Sequence, residues 1–149
     1  MYRHILIASD GSALAGKGLD AGLALASALQ AKATLVTVSD PWQAVMAAEP
    51  SGLALGAELR EERRREQQVR AQAVIDDAQA RAARSGVELA ARYVPERLAD
   101  EAILETAESC GADLIVMASH GHRGLRKLLL GSQTQSVVSR GHLPVLVVR

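Results

Sequence analysis

Four short runs along the chain are continuously apolar and rich in β-branched residues: His4–Ser9 (HILIAS), Ala33–Ser39 (ATLVTVS), Asp113–Ser119 (DLIVMAS) and Pro144–Arg149 (PVLVVR). Apolar runs of this length without alternation predict strands buried on both faces, as in a parallel sheet covered by helices. Val87–Val94 alternates instead, with Val87, Leu89, Ala91 and Tyr93 set against Glu88, Ala90, Arg92 and Val94. It reads as an edge strand with one wetter face. Helical segments separate these runs. From Ser12 to Ala31, the residues Leu14, Gly18, Ala21, Gly22, Leu25 and Leu29 recur at spacings of three and four, which predicts one buried helix face. Ala57–Ser85 opens on a charged run and then carries an apolar stripe at Ala71, Val74, Ile75, Ala78 and Ala82. Leu98–Cys110 and Ser132–Arg140 read as two shorter helices, the second stopped by Gly141 and then Pro144. The order β-α-β-α-β-α-β-α-β predicts an α/β fold: one doubly wound domain over residues 1–149, with a five-stranded parallel sheet and helices on both faces. The stretch Pro41–Gly56 is irregular and reads as a lid or a surface loop.

Composition narrows the classes of function. A chain of 149 residues buries a sufficient core without disulfides or metals. Aromatic residues make up 2% and Phe is absent, so the core is built from Leu, Val, Ile and Ala, and a base-stacking platform for single-stranded nucleic acid is excluded. Lys plus Arg and Asp plus Glu balance at 17 each, which leaves no global basic field for nucleic acid. Cys110 is the single cysteine, which fits a reducing compartment. The opening MYRHILIASDG has no signal-peptide pattern, and no apolar stretch approaches the ~20 residues that span a bilayer. The expectation is a cytoplasmic protein with no membrane or nucleic-acid partner.

Candidate chemistry concentrates at two strand ends. The first strand runs into Ala8-Ser9-Asp10-Gly11, and the fourth into Met117-Ala118-Ser119-His120-Gly121, followed by a loop that reaches Gly131-Ser132 at the start of a helix. In an open α/β sheet, ligands sit beyond the carboxyl ends of the strands where the strand order reverses. Gly121 and Gly131 permit close approach of backbone N–H groups to an anion. A helix beginning at Gly131-Ser132 offers unpaired donors and the positive end of its dipole. Ser132 adds a hydroxyl for phosphate or for a metal ion bridging phosphates. Arg123, Arg126 and Lys127 supply positive charge in the intervening loop, and Asp10 is placed to accept hydrogen bonds from a ribose or a base. The stretch from Ala118 to Ser132 is therefore expected to hold the phosphates of a nucleotide.

Plainer readings stand beside this one. Gly121, Gly124 and Gly131 taken singly are turn glycines, and Asp10 and Ser12 are both N-cap candidates for the first helix. Gly11-x4-Gly16-Lys17-Gly18 nearly spells a Walker A loop, but Gly18 stands where the Mg²⁺-holding hydroxyl belongs, and the first helix runs through it. His4 and His142 read as a strand edge and a turn; His120 and His122 lack the spacing of a helical metal pair. Cys110 reads as a small core residue, the charge run Arg60–Gln68 as a solvated helix face, Leu128-Leu129-Leu130 as packing, and Trp42 as a cover for the cleft or the core.

Taken together, Ala118-x2-Gly121-x9-Gly131-Ser132, HILIASDGS, ATLVTVSD, ADLIVMASHGHRGL, LLLGS and PVLVV resemble the universal stress protein family, whose nucleotide motif reads Gly-x2-Gly-x9-Gly-Ser/Thr. The resemblance covers nearly the whole chain. It implies a sheet of order 3-2-1-4-5 and a stress-response module that binds ATP with Mg²⁺. It also implies at most slow ATP hydrolysis and a homodimer through antiparallel pairing of the last strand. Carried over residue by residue, it puts Ala8, Ser9, Asp10 and Val38 along the adenine and ribose, with Met117 and Ala118 flanking the ribose. Ser119, His120, Gly121, Gly131, Ser132 and Gln133 would surround the phosphates and Mg²⁺, with Ser132 a possible metal contact and no residue assigned a catalytic role. Ala8 stands where some relatives have proline. Ala118 replaces the first glycine of the motif: if that position requires positive φ, alanine costs roughly 1 kcal/mol, and if it is extended, one methyl narrows the cleft. The alternatives are a dimeric stress protein that acts through protein contacts without nucleotide, or an adenylating enzyme. The adenylating reading is disfavoured because Ser9-Asp10-Gly11-Ser12 does not match an SGGxDS loop.

Overall fold

The apolar runs become strands and the amphipathic segments become helices in a computed structural model that describes residues 1–41, 56–121 and 130–149. The elements, in chain order, are β1 (His4–Ala8), α1 (Ala13–Leu29), β2 (Lys32–Val38), α2 (Ala57–Arg84), β3 (Leu89–Val94), α3 (Ala99–Cys110), β4 (Leu114–Ala118), α4 (Ser132–Arg140) and β5 (Val145–Val148). The five strands form one all-parallel sheet of order β3-β2-β1-β4-β5, in agreement with the expected class and order. Trp42, Pro50 and the rest of 42–55, together with His122, Arg123, Gly124, Arg126, Lys127, Leu128 and Leu129, lie outside the described residues.

Burial on both faces explains why the central runs do not alternate. Ile5, Ile7 and Leu35 pack with Leu19, Leu23 and Ala26 of α1 and with Ala78 and Ala82 of α2. On the other face, Leu6, Val36, Ile115 and Met117 pack with Ile103 and Ala107 of α3 and Val137 of α4. Ile5, Leu6 and Ile7 are fully buried, and each contributes about 1.5–3 kcal/mol by leaving water. β3 keeps its alternation, with Ala90 and Arg92 exposed, because it is an edge strand. The expected stripe of α2 is also present: Ala71, Ala78 and Ala82 are buried, and Val74 and Ile75 pack on the same core.

The buried face of α1 differs from the expected one. Its buried residues are Ala15, Gly18, Leu19, Gly22, Leu23 and Ala26, whereas Leu14, Ala21, Leu25 and Leu29 are only partly covered. The helix is apolar around much of its circumference, so period alone does not select the face. Close approach to the sheet selects it at Gly22, while a Cβ at Gly18 would make only ordinary contact. A Cβ on Gly18 would stand 3.4 Å from the Ala118 backbone nitrogen, and one on Gly22 would stand 2.7 Å from Ile7 Cδ1. The near-Walker glycine is thus a packing residue. Ser12 caps α1, its Oγ accepting from the Ala15 N–H at 3.1 Å.

Two aspartates tie the layers together. Asp113 accepts the N–H groups of Arg3 and His4, at 2.9 and 3.0 Å, and so anchors the start of β1 to β4. Asp100, buried near the start of α3, accepts from Ser136 Oγ at 2.5 Å and from Arg140 Nη1 at 2.6 Å, clamping α3 to α4. Burial pushes the Asp100 carboxyl up, but the Ser136 hydroxyl, the Glu101 N–H and the Arg140 guanidinium together hold it below the usual aspartate range. A depressed carboxylate stabilises the fold fully above its unfolded value, and that contribution is lost as pH falls below about 4.

Two measurements follow. In urea unfolding at pH 7, Asp100→Asn is expected to lose about 1–3 kcal/mol. The gap from wild type should shrink as pH falls below the ordinary aspartate value of about 4, where the unfolded chain takes up a proton before the folded carboxyl does; a gap independent of pH would contradict the clamp. Gly22→Ala is expected to lose about 1–3 kcal/mol despite the helix preference for alanine, because the fully buried Ile7 cannot withdraw. Ile7→Val in the same chain should recover part of that loss, and a simple stabilisation by Gly22→Ala would refute the packing argument.

Candidate functional site

β1 and β4 are parallel neighbours, with Ala8 beside Met117 at their carboxyl ends. β2 and β3 lie to one side of this pair and β5 to the other, so the connections diverge here and leave a crevice. On the β1 side, Ser9 extends the pairing by donating its N–H to the Val36 carbonyl at 3.1 Å. Asp10 then turns the chain, with Oδ1 accepting from the Ser12 N–H at 2.9 Å. Of the two N-cap candidates, Ser12 is the cap and Asp10 makes the preceding turn.

The β4 side is built from backbone bonds. Ser119 donates its N–H to the Val148 carbonyl at 2.8 Å, and its own carbonyl accepts from the Gly131 N–H at 2.7 Å. Thr134 Oγ1 donates to the Ala118 carbonyl at 3.0 Å. These bonds fasten the start of α4 to the end of β4. A Cβ on Gly131 would stand 3.1 Å from the Ser119 carbonyl oxygen, so the close seat needs glycine. Gly131, which has no side chain, is the N-cap of α4, and among the described residues no side-chain hydrogen bond caps this helix. Its first-turn N–H groups and the positive end of its dipole therefore face the crevice as an anion seat.

Across the crevice the two sides touch. A Cβ on Gly121 would stand 2.5 Å from Asp10 Oδ2. A side chain at Gly121 would therefore push on the Asp10 carboxylate. The Ser119 Oγ and His120 Nδ1 lie 2.8 Å apart.

The crevice holds two adjoining hollows. The larger, about 400 Å³, is lined by Asp10, Val38, Gly121, Gly131, Ser132 and Gln133 among others. The smaller, about 140 Å³, is lined by Ala8, Ser9, Asp10, Val38, Met117, Ala118, His120, Gly121 and Gln133 among others. Of the expected site residues, Ser119 alone lines neither; it is buried behind, holding the His120 ring and the Gly131 N–H. The Gln133 Oε1 is engaged by the Asp100 N–H at 3.1 Å, which ties the start of α3 to the site. Arg123, Arg126 and Lys127 lie outside the described residues.

Several lining residues were not anticipated: Thr37 in β2, Ser39 and Asp40 after it, Tyr93 in β3, and Gln67, Arg70, Ala71 and Val74 of α2. Tyr93 was legible as an inward position of the alternating strand. Gln67 and Arg70 were not, because their place depends on where α2 crosses the sheet end. Arg70 is the only Lys or Arg lining either hollow among the described residues.

Ala118 lies within β4, paired with Val148. Among the described residues, positive φ at non-glycine positions occurs only at Gln30 and Glu96. The backbone at Ala118 is therefore extended, and the alanine carries no conformational cost; its methyl adds to the wall of the smaller hollow.

The model of the universal stress protein family matches residues 1–149. Universal stress protein YxiE of Bacillus subtilis is 33% identical over 150 residues, covering 100% of each chain. A crystal structure from the universal stress protein family of Burkholderia pseudomallei aligns with a TM-score of 0.73 at 30% identity, covering 98% of this chain and 95% of that one. Two more distant structures share the fold. A universal stress protein in complex with cAMP aligns at TM-score 0.68 and 23% identity over 99% of this chain and 97% of its own. A universal stress protein from Archaeoglobus fulgidus in complex with dAMP aligns at 0.71 and 16% over 99% and 98%.

The geometry at Ala118 makes a direct prediction. Ala118→Gly should lower unfolding stability by about 0.5–1 kcal/mol, since glycine in an extended strand loses more entropy and packs less surface. A higher melting temperature for the glycine variant would reveal strain that the extended backbone does not contain.

Proposed function

This chain belongs to the universal stress protein family, and we propose that it binds ATP, with Mg²⁺ on the phosphates, in the crevice between the ends of β1 and β4. The observation that carries the reading is the joint one: the start of α4, with Gly131 as its N-cap, and the Asp10 carboxylate border one crevice at the switch point of the sheet. In this reading, Ala8, Ser9, Asp10 and Val38 hold the adenine and ribose, and Met117 and Ala118 flank the ribose. His120, Gly121, Gly131, Ser132 and Gln133 surround the phosphates, with Ser119 buried behind them and the Ser132 hydroxyl available to the metal ion. The residues fit a phosphate group: Gly131 makes a seat that a Cβ would crowd, and the first turn of α4 supplies donors. The complexes of fold relatives with cAMP and dAMP support adenine as the base.

The function proposed is regulatory binding in the stress response, with hydrolysis at most slow and no residue assigned a catalytic role. Among the described residues no helix is long and apolar enough to cross a membrane, and no group of three or more His, Cys, Asp or Glu is placed to hold a metal ion. We place the protein in the cytoplasm and expect a homodimer through β5, where Leu146 and, on α4, Val138 remain exposed. That same apolar edge favours the second reading, a dimer acting through protein contacts without nucleotide.

Extraction of the purified protein followed by nucleotide analysis, and calorimetric titration with ATP and Mg²⁺, test the proposal. Gly131→Val is expected to weaken ATP binding at least tenfold with an unchanged circular dichroism spectrum, because the added side chain pushes on the Ser119 carbonyl. Absence of a calorimetric signal for wild type at millimolar ATP, with in-cell function intact in Gly131→Val, would leave the protein-contact reading in its place.

A further inference from the structure

Among the described residues, one buried side-chain nitrogen or oxygen has no hydrogen-bond partner, and it is His120 Nε2. His120 lines the smaller hollow, whose walls are otherwise mostly apolar, with Ala8, Met117, Ala118 and Ile103 around it. A buried polar atom without a partner opposes folding, so its persistence in a cavity wall points to a group that arrives later. Whether that group is a donor or an acceptor depends on which ring nitrogen carries the proton.

Ser119 decides this. Its residue is buried, and among the described residues its hydroxyl has one partner, His120 Nδ1, at 2.8 Å. A hydroxyl carries one proton to donate and two lone pairs. If Nδ1 carried the proton, Ser119 would accept and its own O–H would have no described acceptor. With the proton on Nε2, the Ser119 O–H donates to the bare Nδ1 and is satisfied. Only the second arrangement leaves no buried hydroxyl proton unpaired on the protein side.

We infer that Ser119 fixes His120 as the Nε2–H tautomer, and that this N–H is a donor held ready for an acceptor oxygen of the ligand. Ser119 is then a positioning residue and His120 a binding residue. The inference rests on the nucleotide reading for the class of ligand: the oxygen belongs to the ribose or phosphate of an adenine nucleotide. It explains why Ser119 is an expected site residue that lines neither hollow. It contributes through the ring it orients.

The experiment uses the full chain labelled with ¹⁵N-histidine. The ring signals of His120, assigned by their loss in His120→Ala, are recorded with and without AMP, and separately with ATP and Mg²⁺. The expected result for free wild type is a neutral ring protonated at Nε2, with the Nε2 signal moving when nucleotide is added. Ser119→Ala should convert the ring to a mixture of tautomers. By calorimetry, His120→Ala is expected to weaken binding about tenfold, and His120→Gln, whose amide N–H₂ reaches the same point, to recover part of it. An Nδ1–H ring in free wild type, or unchanged affinity in a folded His120→Ala, overturns the inference and leaves the nucleotide reading standing. A wild type that binds neither AMP nor ATP overturns the nucleotide reading and the ligand role of His120 with it. The tautomer role of Ser119 is then judged by the ring signals alone.

Discussion

The parallel pairing of β1 with β4 is the constraint on which the rest depends. Both strands are buried on both faces, and the chain leaves them toward opposite sides of the sheet. In a parallel sheet every crossover returns the chain to the same edge, so the helices that follow strands begin at the carboxyl edge. Here the starts of α1, α3 and α4 contribute Asp10, Ala99 and Gly131 to the rim of one crevice. The positive helix ends and the crevice therefore share one cause, the connectivity, and no added charge is needed to make the rim receptive to an anion.

Rigidity at this rim comes from groups that do not touch the crevice or do so only at its margin. Asp100 gathers Ser136 and Arg140, while Gln133, in the first turn of α4, reaches the Asp100 N–H. The start of α4 is thus held from below by α3 and from the side by the carbonyls of Ala118 and Ser119. An N-terminal donor set held this firmly needs little reorganisation when an anion arrives, and that is the physical content of preorganisation.

The fold was legible because burial on two faces leaves a continuous apolar run, while an edge strand such as β3 keeps its alternation. The strand ends were legible for the same reason, which is why nearly all expected site residues line the crevice. Three things were not. The buried face of α1 shares only Gly18 and Gly22 with the predicted stripe because its apolar residues encircle the helix, and steric closeness at Gly22 chooses among them. The α2 contribution of Gln67 and Arg70 follows from a crossing position that periodicity does not encode. The part played by Ser119 depends on a hydroxyl proton and its acceptor, which become visible only when the His120 ring is in place.

The glycine motif itself takes on a different meaning once each position is examined in space. A side chain at Gly131 would crowd a carbonyl of its own chain, and one at Gly121 would push on the Asp10 carboxylate, before any ligand enters. Both glycines sit where β1, β4 and α4 come close together, and the donors at the start of α4 line that same place. The first motif position differs. There the facing residue on α1 is Gly18, where an added Cβ would stand an ordinary 3.4 Å from the Ala118 nitrogen, while Ala118 itself keeps an extended backbone. With the backbone extended, a methyl on the strand costs no strain and adds to the wall of the smaller hollow. An alanine at this position is therefore compatible with the architecture of the crevice. Any change in affinity that it causes must act through the shape of the wall beside His120, and not through the backbone.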